Sequence, residues 1–153
     1  MAICKTMLIY DLAANPLNSN EWSFPLTECF HVASMALCIG TIAVVDLRLL
    51  GLGLRNQTAA QLVRTTEGWT IAGFSIVITS GLLIFSSDPL KYLHSAPFQL
   101  KMALLLFGIL YNYTLHRKVA QSNPPSGLRF VTAGFSLALW AVLVFSSIFI
   151  AFW

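Results

Sequence analysis

The chain has 153 residues, of which 57% are apolar and 10% are charged, with a mean hydropathy of +0.74. Soluble domains contain about 45–50% apolar and about 25% charged residues, so this composition excludes a water-soluble enzyme and a disordered chain. The formal net charge is +3, and the cations form no basic face of the kind that nucleic acid needs. The sequence therefore predicts a single membrane domain over residues 1–153.

The residues before the first apolar segment are too polar and too interrupted for a membrane-spanning helix. Residues 5–13 (KTMLIYDLA) instead predict a short N-terminal interfacial helix with Met7, Leu8 and Leu12 on its lipid side. No apolar segment precedes a small-residue cleavage site here, so we expect no cleaved signal peptide.

Four apolar segments then approach the roughly 20 residues that a membrane-spanning helix requires. None of them alternates apolar and polar residues with a period of two, which excludes a membrane barrel. The predicted fold is therefore all-α, a bundle of four transmembrane helices. The spans are expected at about residues 28–50, 68–86, 97–117 and 130–152.

The cations indicate the orientation, since loops rich in Lys and Arg face the cytoplasm. Six cations flank the loops after the first and third spans, whereas the opposite side has two. This asymmetry places the loops at 51–67 and 117–129 in the cytoplasm and both termini outside. The six are Arg48, Arg55, Arg64, Arg117, Lys118 and Arg129, and the two are Lys5 and Lys91.

Ionisable side chains inside a bilayer are costly, so each is a candidate for a functional site. His31 lies near the outer end of the first span, and Lys101 lies about one turn into the third. His94, in the outward loop, is expected at nearly the same height as His31. If the first and third helices are neighbours, these two histidines can meet beside Lys101 and ligate a metal. Gly81 in the second span is a position where a flat macrocycle could approach the backbone.

A second polar group lies near the inner end of the bundle. Asp46 is expected to pair with Arg48, with a proton relay as the alternative. His116 closes the third span beside two cations, a placement typical of an interfacial residue. Together with Asn112 and Asp46, His116 is also a candidate for a second metal site.

One haem cannot join the two ends of the bundle. His31 and His116 should differ in depth by roughly 25 Å, whereas two axial nitrogens of one haem lie about 4 Å apart across the iron. His94 is therefore the expected partner of His31. No C-x-x-C-H motif is present, so any haem would be b-type and held without a covalent bond.

The first span contains Pro25, Glu28, His31 and then DLRLLG at residues 46–51. The second reads GWTIAGFSIVITSGLLIFSSDP, and the third reads PFQLKMALLLFGILYNYTLHRK. Over about residues 23–118 this pattern resembles a group of small bacterial four-helix membrane proteins of unknown function. The resemblance implies a four-helix fold in the inner membrane of a bacterium.

More distantly, the layout is similar to the copper-resistance D membrane domains and to the membrane-bound, haem-dependent protoporphyrinogen oxidase of bacteria. Both place a histidine on an early helix and a Phe-x-x-Lys-like motif at the start of a later one. In this sequence the counterparts are His31 and the stretch from Phe98 to Lys101. This second resemblance implies that haem b binds at His31, near Lys101.

Three functions follow from these observations. The first is a b-type cytochrome-like subunit that holds haem b near the outer leaflet and exchanges electrons with a quinone or an external redox partner. The second is a copper-handling protein, in which Glu28, Met35 and His31 share a helix face and Cys29 points away. The third is a non-catalytic scaffold or assembly subunit, in which His31 is a structural histidine.

Under each function the chain is expected to form a homo-oligomer or to join a larger membrane complex. Whether it catalyses a reaction is left open, because the sequence contains no nucleophile, phosphate-binding or metalloprotease motif.

Overall fold

The computed structural model describes residues 15–53, 56–122 and 124–150. All regular structure in these residues is helical, and four helices are long and apolar enough to cross a membrane. The predicted all-α bundle is therefore confirmed in the described part of the chain. The interfacial helix predicted at residues 5–13 lies outside the described residues.

Six α-helices and one π-helical turn follow one another along the described residues. In chain order they are α1 (Ser23–Leu49), α2 (Ala59–Ser87), α3 (Pro89–His94), α4 (Ala96–Tyr111), the π turn (Asn112–His116), α5 (Arg117–Gln121) and α6 (Ser126–Phe149). The third span covers Ala96–Gln121, because α4, the π turn and α5 form one continuous helix.

The helix α2 begins well before the span predicted at about residue 68, because its first turn is capped. The side-chain oxygen of Thr58 accepts a hydrogen bond from the backbone N–H of Gln61, and the Gln61 side chain accepts one from the backbone N–H of Thr58. This capping box satisfies two N–H groups that would otherwise lack partners. It turns part of the predicted 51–67 loop into helix.

The helices α1 and α2 pack closely where a glycine removes a side chain. A Cβ atom added at Gly73 would come 2.6 Å from Cys38 Sγ and 3.2 Å from the backbone oxygen of Ser34. Thr41 and Thr70 join the same two helices through a 2.8 Å hydrogen bond between their hydroxyl oxygens. Small residues and hydroxyl groups of this kind let helices approach within a bilayer.

The apolar core lies between this pair and the remaining helices. One cluster joins the middle of α1 and α2 to α6, and a second lies towards the α1–α2 connection. The first contains Cys38, Ile42, Phe74, Val77, Trp140 and Leu143, and the second contains Val45, Leu49, Leu62, Ala120 and Ala133.

The third span is the least buried of the four. Of its most apolar stretch 11% is buried, against 28% or more for each of the others. The buried residues of α4 are Gly108 and Tyr111, both in its second half. The residues of the first half of α4 are therefore exposed or only partly buried.

We expect Gly73→Ala to destabilise the bundle, because the added methyl group meets Cys38 Sγ and the α1 backbone. The matched control is Gly134→Ala on α6, where nothing lies within 4 Å of the new atom. That change should be neutral or stabilising, since alanine is favoured over glycine in helices by about 1 kcal/mol. The measurement is the Tm of each purified variant in mild detergent. Equal Tm values for the two variants would contradict the close packing at Gly73.

Candidate functional site

The structure brings together three of the residues predicted for a cofactor site. His31 on α1 is 8% exposed. Its Nδ1 lies 2.9 Å from the hydroxyl oxygen of Ser80 on α2, and its Nε2 lies 3.4 Å from Nζ of Lys101 on α4. Gly81 lies against the same imidazole. We call His31, Ser80, Gly81 and Lys101 the His31 cluster, and we call this end of the bundle the His31 end.

The hydrogen bonds of Ser80 determine which nitrogen of His31 carries the proton. The Ser80 hydroxyl lies 2.6 Å from the backbone oxygen of Ile76, and it donates its single proton there. Its oxygen therefore accepts a hydrogen bond from Nδ1–H of His31. Because neutral imidazole has one N–H group, the lone pair is on Nε2, the atom that faces Lys101. The sequence analysis did not identify Ser80, although it directly precedes Gly81.

Gly81 makes room for the histidine ring. A Cβ atom at this position would lie 3.2 Å from Cε1 and 3.7 Å from Nδ1 of His31. From the sequence we expected that a flat macrocycle could approach the backbone at Gly81. In the structure the imidazole of His31 occupies this space. Gly81 therefore acts by allowing the Cε1–Nδ1 edge of the His31 ring to approach α2 closely.

His94 does not join the His31 cluster. It is exposed at the end of α3, and its Nδ1 lies 2.8 Å from the backbone oxygen of Leu90, one turn earlier. Both ring nitrogens of His31 already have partners on α2 and α4. Within the part of the chain that the structure describes, no hydrogen bond connects the two histidines.

The residues proposed for copper are also dispersed. Glu28 and Cys29 are exposed, and Met35 is half-buried against the core. Among the described residues, no three His, Cys, Asp or Glu side chains come close enough to hold a metal ion together.

Aromatic rings pack beside the His31 end. Phe85 at the end of α2 stacks on Phe98 of α4 with ring centroids 5.7 Å apart, and Tyr92 of α3 lies 5.5 Å from Phe98. Burial raises the pKa of the Tyr92 phenol above its ordinary value, although a hydrogen bond with Ser87 acts in the opposite direction. These contacts fix the short helix α3 and the start of α4, which carries Lys101.

At the opposite end, which we call the Asp46 end, a carboxylate and an imidazole form a buried pair. His116 Nε2 lies 2.6 Å from Asp46 Oδ1, and the two residues are 2% and 0% exposed. The predicted pair of Asp46 with Arg48 is wrong. Residues two apart on a helix point in different directions, so Asp46 faces the core while Nε of Arg48 donates to the backbone oxygen of Gln57.

The π turn explains why His116 is buried instead of interfacial. Asn112 and His116, at the two ends of this turn, both point into the bundle. A π turn accommodates an extra residue and so changes the direction of the side chains that follow. No pattern in the sequence marks this turn, and the expected interfacial position of His116 rested on the neighbouring cations Arg117 and Lys118.

A small cavity of about 30 Å³ lies beside this pair. It has room for about two water molecules. Polar side chains from three helices line it, and the ion pair of Glu67 with Arg117 lies at its wall. Asp46 Oδ2 is buried without a hydrogen-bond partner among the described residues. Asp46 and His116 therefore form a buried, hydrogen-bonded pair beside a small polar cavity.

We expect Asp46→Ala to destabilise the protein by about 3–5 kcal/mol, because it leaves the buried His116 without its partner. The control is Glu67→Ala, which breaks the half-exposed pair with Arg117 and should cost less than about 1 kcal/mol. Asp46→Asn should recover part of the loss, since its amide oxygen still accepts a hydrogen bond from Nε2–H. Unfolding in denaturant measures these differences. Equal losses for the two alanine variants would contradict the assigned role of the buried pair.

Comparison with known proteins identifies a family but no characterised relative. Residues 24–152 match the profile of DUF6644, a family of unknown function. No curated protein and no solved structure matches the chain, so no match links it to the copper-resistance D domains or to the haem-dependent oxidase. The matched residues include nearly all of the four spanning helices, α6 among them. The chain therefore belongs to DUF6644, a family of unknown function.

Proposed function

We propose that this chain is a b-type cytochrome-like membrane subunit that holds haem b through His31 of the His31 cluster. The observation that carries the proposal is the orientation of the imidazole. Ser80 accepts the Nδ1 proton, and the lone pair of Nε2 points towards α4, where binding of iron would replace its 3.4 Å contact with Nζ of Lys101. Histidines that ligate metals characteristically donate their other N–H to such an acceptor.

The donor chemistry of the cluster fits a haem. Imidazole is a common axial ligand of haem iron, and Lys101 provides a cation for a haem propionate. Lys101 lies on the first half of α4, none of whose residues is buried. When bound, haem b would supply one-electron transfer, and the apolar helices around it would set its potential.

Each residue of the cluster has a separate task in this proposal. Ser80 holds the imidazole in one tautomer, and Gly81 allows the edge of the ring to approach α2 closely. The ammonium group of Lys101 would pair with a haem propionate, on the side of the site that faces the lipid headgroups. His94, which the sequence predicts as the second ligand, hydrogen-bonds to its own helix, and it would have to turn away from Leu90 to reach the site.

We propose a quinone or an external redox protein as the electron partner, and the bacterial inner membrane as the location. The His31 end and both termini would face the outside. The support is the distribution of charge among the described residues. Lys91 lies at the His31 end, whereas the Asp46 end carries the five cations Arg48, Arg64, Arg117, Lys118 and Arg129. A chain of this size would act as a homo-oligomer or within a larger complex.

The absorption spectrum of the protein purified in mild detergent tests the proposal. We expect a Soret band and, after reduction with dithionite, sharp α and β bands. His31→Ala should abolish these bands. His94→Ala is the matched control and should leave the spectrum unchanged, since His94 lies outside the His31 cluster. A change from low spin to high spin in His94→Ala would instead establish His94 as the second ligand.

The same preparation tests the other functions. A colourless protein that contains stoichiometric copper would contradict the haem proposal and support metal handling. A protein with neither cofactor, even when expressed with added haem precursor, would contradict both and leave the scaffold function. Retention of a normal haem spectrum in His31→Ala would contradict the ligand assignment alone.

A topology experiment tests the orientation independently. Alkaline phosphatase fused after residue 153 should be active in a bacterial host, because the enzyme folds only outside the cytoplasm. The same enzyme fused within the connection between α5 and α6 should be inactive. The reverse pattern would show that the Asp46 end faces the outside.

A further inference from the structure

Two arginines at the Asp46 end line open cavities without an acidic partner among the described residues. Arg48 lies in the last turn of α1, and Arg129 lies in the first turn of α6. Both residues line two cavities, of about 420 and 560 Å³. The ion pairs of the described residues include neither arginine.

The guanidinium groups of these arginines have unused donors. Nε of Arg129 is buried and has no hydrogen-bond partner among the described residues. Nε of Arg48 donates a hydrogen bond to the backbone oxygen of Gln57, and this bond anchors the guanidinium group. The two terminal nitrogens of Arg48 have no hydrogen bond to a described side chain. A buried donor without a partner is costly, so an acceptor bound between the two arginines would stabilise the structure.

The other groups around the cavities also favour an anion. Of the residues that the structure describes, no Asp or Glu lines either cavity, whereas Thr58, Ser122 and Ser126 contribute hydroxyl groups. Ser126 begins α6, and its N-cap residue Pro125 provides no side-chain cap. The N–H groups of Leu128 and Arg129 donate to the backbone oxygen of Pro125, so those of Ser126 and Gly127 are the ones available to a ligand. The helix dipole adds positive potential at the same place.

Apolar residues form one wall of the larger cavity. Leu49 and Leu50 at the end of α1 and Phe130 and Val131 on α6 lie beside the arginines. Phe130 and Val131 are each 66% exposed on the outer surface of the bundle. A charged group held at the arginines would thus have an apolar helix surface directly next to it, at the end of a membrane span.

We propose that Arg48 and Arg129 form a binding site for a phosphate group, carried by an anionic phospholipid or by a small soluble phosphate ester. Guanidinium groups bind phosphate oxygens through paired N–H donors, and two arginines facing one cavity provide two such pairs. The site is separate from the His31 cluster, and the proposal does not depend on haem binding.

Thermal unfolding of the full chain in an uncharged detergent tests the site. We expect dioleoyl phosphatidylglycerol to raise the Tm by several degrees and to saturate, whereas phosphatidylcholine with the same acyl chains should have a smaller effect. In Arg48→Gln and Arg129→Gln the shift should fall to less than half. Arg64→Gln is the matched control, because Arg64 is an exposed cation on α2 that lines neither cavity, and it should keep the full shift.

Glycerol phosphate, added without lipid, distinguishes the two sources of the phosphate group. A Tm shift equal to that of the lipid assigns the site to a soluble phosphate, and a shift with the lipid alone assigns it to a phospholipid. If Arg129→Gln does not fold, the Tm shift of Arg48→Gln alone tests the site. Because Arg48 is only partly buried, we expect this variant to fold. The proposal is overturned if neither ligand raises the Tm, or if Arg64→Gln loses as much of the shift as the two cavity variants.

Discussion

A polar group inside the hydrocarbon of a bilayer has no water to bind, so it must find its partner on another helix. The helix α1 carries such groups along one face, and each fixes the position of a neighbour. His31 meets Ser80 near one end, Thr41 meets Thr70 in the middle, and Asp46 meets His116 near the other end. The first two contacts align α2, and the third brings in the π turn of the third span. The packing of the bundle depends on this polar face.

Close packing and polar contacts support each other along α1. Gly73 allows the backbones of α1 and α2 to approach, which keeps the Thr41–Thr70 hydrogen bond short. The third span is held differently, by Gly108 against the ring of Trp140 on α6 and by the ring contacts around Phe98. The α1–α2 pair is thus joined by close packing and a polar contact, whereas the first half of α4 has no buried residue. That part carries Lys101.

The sequence predicted those features that follow from composition and depth. Hydropathy and helix length identified four spans, and the cost of charge in a bilayer singled out His31 and Lys101, which do meet. The features that it missed depend on local geometry. The capping box at Thr58 moves the start of α2 into a predicted loop, and the π turn turns His116 inward. The partner of Asp46 was misassigned because Arg48 is near in sequence but points in another direction from the helix.

The π turn also sets the register between the two halves of the third span. A π turn accommodates one residue more than the α-helical turn that it replaces, and a regular α-helix advances by about 100° per residue. If the same residues formed an unbroken α-helix, His116 would therefore be displaced by about that angle relative to Lys101. The side chains of such a helix would reach the partner of Lys101 or the partner of His116, but not both together.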